Sequence, residues 1–209
     1  MRTRPLGRTG IEVSEIALGT WGLAPGSYGP IDGTRRGNTI RRALEQGVTT
    51  FDTSPTWGLG ACESALGEAL EGKGETVQVV TRVGVDLSGD RPTRNFSVGA
   101  IRKSVEASLT RLRRSKLDVV LLHGADEETL AGRAWVKAME SLVDSSLTRT
   151  WGATVGSAEM ALAAIDAGAP VICMPYNLLF ADDVHDIAED LVESGVGLLA
   201  RSPLSYGLL

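Results

Sequence analysis

Residues 43–70 read ALEQGVTTFDTSPTWGLGACESALGEAL, and the alternation inside them decides the fold. A helical stretch over Thr34–Gln46 stops ahead of Gly47, a residue suited to the left-handed turn that ends a helix. A short β-rich run, Val48–Asp52, comes next and leads into a turn. A second helical stretch, Ala61–Glu71, then ends before Gly72. Asp52 closes the strand, and Trp57 follows five residues later. The carboxylate has the look of a catalytic group, whereas the indole has no proton it readily gives up.

The same strand-then-helix unit recurs in both directions. β-rich runs are predicted at Ile16–Thr20, Thr76–Val83, Asp118–His123, Arg149–Val155, Val171–Tyr176 and Gly197–Ser202. Helices are predicted from a Ser97 cap, with Val98, Ile101, Val105, Leu109 and Leu112 on one face, and at Thr129–Val143, Ala158–Ala167 and Asp182–Glu193. Alternation of this kind means a parallel sheet with helical crossovers. Residues 1–15, with Gly7 and Gly10 at turn positions, suit a hairpin. No linker or low-complexity stretch divides the chain, so residues 1–209 are expected to form one domain. Seven strands fit either an open doubly wound sheet or a (β/α)₈ barrel lacking its last unit.

Composition narrows the function classes. The net charge of −5 argues against nucleic acid or an anionic membrane as partner, and no apolar run is long enough to span a bilayer. Two cysteines, Cys62 and Cys173, are too sparse for a disulfide framework or a zinc site, and the two histidines lack metal-ligand spacing. No metal is therefore expected, and a cytoplasmic protein is the default. No GxGxxG, GxxxxGK[ST] or GxSxG motif is present. Cys173, mid-strand, reads as a small core residue.

Parallel α/β proteins assemble their sites at the carboxyl ends of the strands. Those ends carry Asp52, Arg82, His123, Thr154, Tyr176 with Asn177, and Ser202. Each has a plain structural alternative: Asp52 as a turn cap, Arg82 as its counter-ion, His123 as a packed histidine. The coincidence across several strands points to a site. Trp21, Trp57 and Trp151 suggest an aromatic-lined pocket, or equally ordinary core packing.

These residues resemble the aldo-keto reductase family along the whole chain. PLGRTGIEVSEIALGTWG looks like the family's hairpin and first strand, and residues 43–70 like helix 1 through helix 2. LDVVLLHGAD, MPYNLLF and LLARSPLSYGLL resemble strands 4, 6 and 7. The resemblance implies a TIM-type (β/α)₈ barrel, incomplete at seven β/α units, with an N-terminal β-hairpin. Members of the family usually reduce carbonyls with NADPH through an Asp–Tyr–Lys–His tetrad. Asp52 and His123 match that pattern, but Trp57 stands at the tyrosine and Arg82 at the lysine. On the cofactor side, Thr154-Val155 replaces Ser-Asn and Cys173 replaces a glutamine. Tyr176, at the position that stacks on nicotinamide, and Ser202-Pro203-Leu204, resembling the pyrophosphate loop, are retained.

General acid–base help is worth about 10²–10⁴ in rate, so a tetrad without its phenol predicts a crippled reductase. The favoured expectation is consequently cofactor-independent acid–base chemistry, a lyase or isomerase acting on a small carbonyl compound. Asp52 and His123 would then be the acid–base groups, with Arg82 and Trp57 holding an oxygen. The alternatives are an NADPH-dependent oxidoreductase with an altered tetrad, in which Thr154, Tyr176 and Ser202 bind cofactor, and a non-catalytic interaction protein. An open barrel edge predicts a homo-oligomer, or cover by the N-terminal hairpin.

Overall fold

The computed structural model describes all of residues 1–209 except Ser88 and Asp90, together with the side chains of Glu75 and Tyr206. Among the described residues the strands are β1 (Thr3–Pro5), β2 (Glu12–Ser14), β3 (Leu18–Gly19), β4 (Thr50–Asp52), β5 (Gln78–Val83), β6 (Val85–Asp86), β7 (Thr93–Arg94), β8 (Leu117–Leu122), β9 (Thr148–Thr154), β10 (Val171–Pro175) and β11 (Gly197–Arg201). The helices are α1 (Gly33–Glu45), α2 (Ala61–Ala69), α3 (Val98–Leu112), α4 (Glu127–Ala131), α5 (Ala134–Asp144), α6 (Ala158–Asp166), α7 (Asp182–Asp186) and α8 (Ala188–Ser194).

Strands β3, β4, β5, β8, β9, β10 and β11 form one parallel sheet in chain order. A doubly wound sheet reverses direction at a switch point. This one never does, so the sheet is wound in a single sense and curls. Its two faces have separate cores. Outward-facing Phe51, Val79, Val83, Val120, Leu122, Ala153, Ile172 and Met174 pack with the helices. Inward-facing Val80, Val119, Leu121, Val171 and Cys173 form a smaller cluster with Leu6, Ile11 and Val13 of the hairpin β1–β2. The hairpin therefore closes the floor of the curled sheet. Gly7, at φ +53°, lies so close to the backbone of Gly195–Gly197 that any Cβ there would collide with it.

Local sequence explains the helix starts. Asp32, Ser97, Asp126 and Ser157 each accept a backbone N–H of the first turn of α1, α3, α4 and α6. On α3, Ile101, Val105, Leu109 and Leu112 are buried as predicted, but Val98 is exposed at the helix start. The predicted helix Thr129–Val143 is divided between α4 and α5 because Arg133 adopts a left-handed φ of 53°. Likewise Asp182–Glu193 divides at Ile187 into α7 and α8. A short hairpin, β6–β7, follows β5 and has no counterpart in the sequence reading. Among the described residues no helix is long and apolar enough to cross a membrane.

Candidate active site

Strand ends place the ionisable groups together. Asp52 ends β4, and its Oδ1 accepts a 2.6 Å hydrogen bond from Arg82 on β5. Arg82 is buried, donates from the same nitrogen to the Thr53 carbonyl at 2.8 Å, and approaches Cys173 Sγ at 3.7 Å. Its guanidinium carbon sits 4.7 Å from the Trp57 ring centroid, a cation–π contact. Burial raises the Asp52 carboxyl above its ordinary range, with Arg82 pulling against that rise; Asp52 in turn helps hold Arg82 protonated. A guanidinium does not lose its proton near neutral pH, so Arg82 stays charged 2.6 Å from the carboxyl.

Trp57 is carried by the turn after β4, where its backbone N–H donates to the Ser54 carbonyl. Gly58, at φ +64°, ends that turn, and a Cβ there would lie 2.7 Å from Pro25. The indole is thus set against Arg82 by backbone that only glycine accommodates. Trp151, by contrast, faces the helices and packs edge-on to Trp135, so of the two readings open for it, core packing is the one observed.

His123 follows β8, tied by its backbone N–H to the Val83 carbonyl at 2.9 Å. Its Nδ1 is buried and, among the described residues, unpartnered. Burial, with Arg82, Arg201 and Arg94 nearby, pushes its pKa down to about 4, which leaves a neutral imidazole at pH 7.

The cofactor candidates occupy the later strands. Thr154 ends β9 in register with Cys173, and its buried hydroxyl has no partner among the described residues. Tyr176, just past β10, is half exposed; its hydroxyl lies 3.2 Å from His185 Nε2, and the two rings meet edge-on. Ser202, at φ 58°, turns the chain after β11, and its carbonyl accepts from Asn177 Nδ2 at 2.9 Å. The structure thus joins Asp52, Arg82 and Trp57 directly and ties His123 to β5, with Thr154, Tyr176 and Ser202 along the same rim. Three groups escaped the sequence reading: Cys173 as a contact of Arg82, His185 against Tyr176, and Arg201, which projects into the same face. Strand periodicity could have found Arg201, two residues after the inward-facing Leu199; nothing local could have found His185.

Residues 15–209 match the family described as "Aldo/keto reductase family".

The chain belongs to the aldo/keto reductase family.

It is 32% identical to "Aldo-keto reductase YhdN" of Bacillus subtilis over 96% of this chain and 61% of that protein. It is 29% identical to the L-galactose dehydrogenase of Arabidopsis thaliana, over 99% of this chain and 66% of the relative. The chain therefore spans less than two thirds of the length of these relatives. Among solved structures, aldo-keto reductase AKR11C1 from Bacillus halodurans, in its holo form, superposes with a TM-score of 0.87 at 25% identity, covering all of this chain and 68% of that one.

These likenesses correct three expectations. The predicted lyase or isomerase chemistry, the non-redox enzyme class and the absence of cofactor are overturned: the aldo/keto reductase relatives are named as a reductase and a dehydrogenase, and one neighbour was solved in a holo form. The physical reason is that the substitutions keep polar and charged groups in place. Thr154 offers the same hydroxyl donor and acceptor as serine, and among the described residues it is unspent. Arg82 keeps the positive charge of the lysine it replaces, in contact with the same carboxylate.

Proposed function

We propose that this chain is an NADPH-dependent aldehyde or ketone oxidoreductase with an altered tetrad of Asp52, Trp57, Arg82 and His123. The observation that carries the reading is the buried Thr154 hydroxyl, unpartnered among the described residues, on the strand beside Cys173, which itself touches Arg82. An orphaned buried hydroxyl costs about 1–3 kcal/mol, and an amide ligand would satisfy it. Thr154 would hold the carboxamide of the nicotinamide, Tyr176 would pack on its ring, and the backbone turn at Ser202 would receive the pyrophosphate. The group supplies a hydride to the carbonyl carbon when bound.

The remaining chemistry falls to the chain. Arg82, locked by Asp52, Thr53 and Cys173, stabilises negative charge growing on the carbonyl oxygen. Trp57 and neutral His123 offer N–H groups that orient that oxygen. Neither readily releases a proton at neutral pH, since indole has no accessible ionisation and His123 titrates at about 4. The alkoxide is therefore protonated from water, and turnover is slow. The same reading takes residues 1–209 as one domain, seven units of a (β/α)₈ barrel. The unbroken strand order and the full-length superposition support it.

Two measurements test the proposal: quenching of protein fluorescence by NADPH, and NADPH oxidation with a panel of aldehydes. Saturable quenching with aldehyde-dependent oxidation, reduced about 100-fold or more by Asp52→Asn, is expected. Absence of both signals from the folded protein overturns it.

A further inference from the structure

We propose that Arg201 is the anchor for a carboxylate on the substrate, so that the site takes oxo acids in preference to neutral aldehydes and ketones; this rests on the carbonyl-reducing reading above.

Arg201 ends β11, in register with Pro175 of β10. Two residues earlier, Leu199 pairs with Cys173 and packs in the inward cluster. The two-residue period of a strand puts Arg201 on that same inner face, one layer above Leu199 and in the layer of Arg82 and Asp52. Its hydrogen bonds are long and neutral: 3.3 Å to the Val155 carbonyl and 3.5 Å to Ser202 Oγ. Its Nε is buried without a partner among the described residues, and no carboxylate pairs with it there.

Among the described residues, this layer of the sheet's inner face carries the guanidinium groups of Arg82 and Arg201 and the carboxyl of Asp52. Asp52 is committed to Arg82 at 2.6 Å, and His123 is neutral. The charge of Arg201 is left over. A partly buried cation with an unspent donor is a receptor for an anion, and a guanidinium fork matches a carboxylate in shape. The field of Arg201 is felt at Asp52 and His123, the groups that the proposed reaction sets about the carbonyl. That location favours a carboxylate on the substrate over the phosphates of the nucleotide.

Calorimetry on the full chain without nucleotide tests this with two acid–ester pairs: pyruvate and methyl pyruvate, succinate semialdehyde and its methyl ester. In at least one pair the acid is expected to bind about tenfold tighter. Arg201→Gln should erase that preference, and Arg201→Lys, which keeps the charge, should restore part of it. NADPH quenching by the Gln variant should stay within about threefold of the parent. No acid–ester difference in the parent protein overturns the proposal, and that arm needs no variant to fold. So does a difference that survives Arg201→Gln, or a tenfold loss of NADPH affinity with acid preference intact, which would assign Arg201 to the nucleotide. Acid preference without any NADPH binding would sink the oxidoreductase reading and leave the anion anchor standing.

Discussion

At Trp57 the ring faces a permanent cation and offers it only a quadrupole. Replacing the indole by a phenol restores a group that can donate its proton, and the adjacent Arg82 charge favours its ionisation. Trp57→Tyr is expected to raise kcat for aldehyde reduction by about 100-fold, at the low end of the 10²–10⁴ range for acid–base help. Stopped-flow or steady-state NADPH oxidation reads this directly; an unchanged or lower kcat places the proton source elsewhere. His123 carries a second prediction. Folding lowers its pKa from about 6.5 to about 4, so the folded state favours the neutral ring. Between those values the unfolded chain binds a proton that the folded chain resists. The contribution is fully present above pH 6.5 and is lost as pH falls toward 4. Melting temperature should decline over that window, and His123→Gln should flatten the decline; identical slopes would show that the ring is not what titrates.

Between elements, one buried carboxylate ties three together. Glu63 on α2 is fully buried and accepts from Thr81 on β5 and from Arg111 on α3, both at 2.6 Å. Thr81 is the neighbour of Arg82 on the opposite face of β5, so this tie braces the strand that carries the site arginine. Removing the carboxylate leaves a buried hydroxyl and a guanidinium without their partner. Glu63→Ala is expected to cost about 2–3 kcal/mol in urea unfolding, short of the full penalty because Arg111 is 29% exposed. A loss below about 0.5 kcal/mol would mean that water substitutes for the tie. Close packing of α2 on α3 has a visible cause: Gly67 meets the backbone of Arg111 and Leu112, where no Cβ fits.

Across the whole molecule the sheet has two ends. Strands β3 and β11 each pair on one side only among the described residues. The hairpin β1–β2, the candidate cover for that gap, lies beneath the sheet, where Arg8 N–H donates to the Gly195 carbonyl and Leu6 packs against Gly197 at the start of β11. Leu178, Phe180, Leu204 and Leu208 are exposed toward the carboxyl end of the chain. Unpaired edges and apolar side chains favour association. Light scattering on the 209-residue chain is expected to give a mass of at least twice 22.1 kDa. A single monomeric species at micromolar concentration would refute it.

Sequence alone was enough to place Asp52, Arg82 and His123 at strand ends, since alternation, glycine stops and caps such as Ser97 act within a few residues. Local pattern also suggested the hairpin through Gly7 and Gly10. It could not choose between a doubly wound sheet and a singly wound one, because strand order is settled by pairings such as Arg82 with Leu121 and Cys173 with Leu199, tens of residues apart. Nor could it weigh the substitutions at the site. Whether a threonine hydroxyl is spent, which carboxylate an arginine reaches, and which cation is left without one are properties of neighbours in space. Only the folded sheet, which sets Arg201 on the inner face while Asp52 is held by Arg82, decides where the unbalanced charge lies.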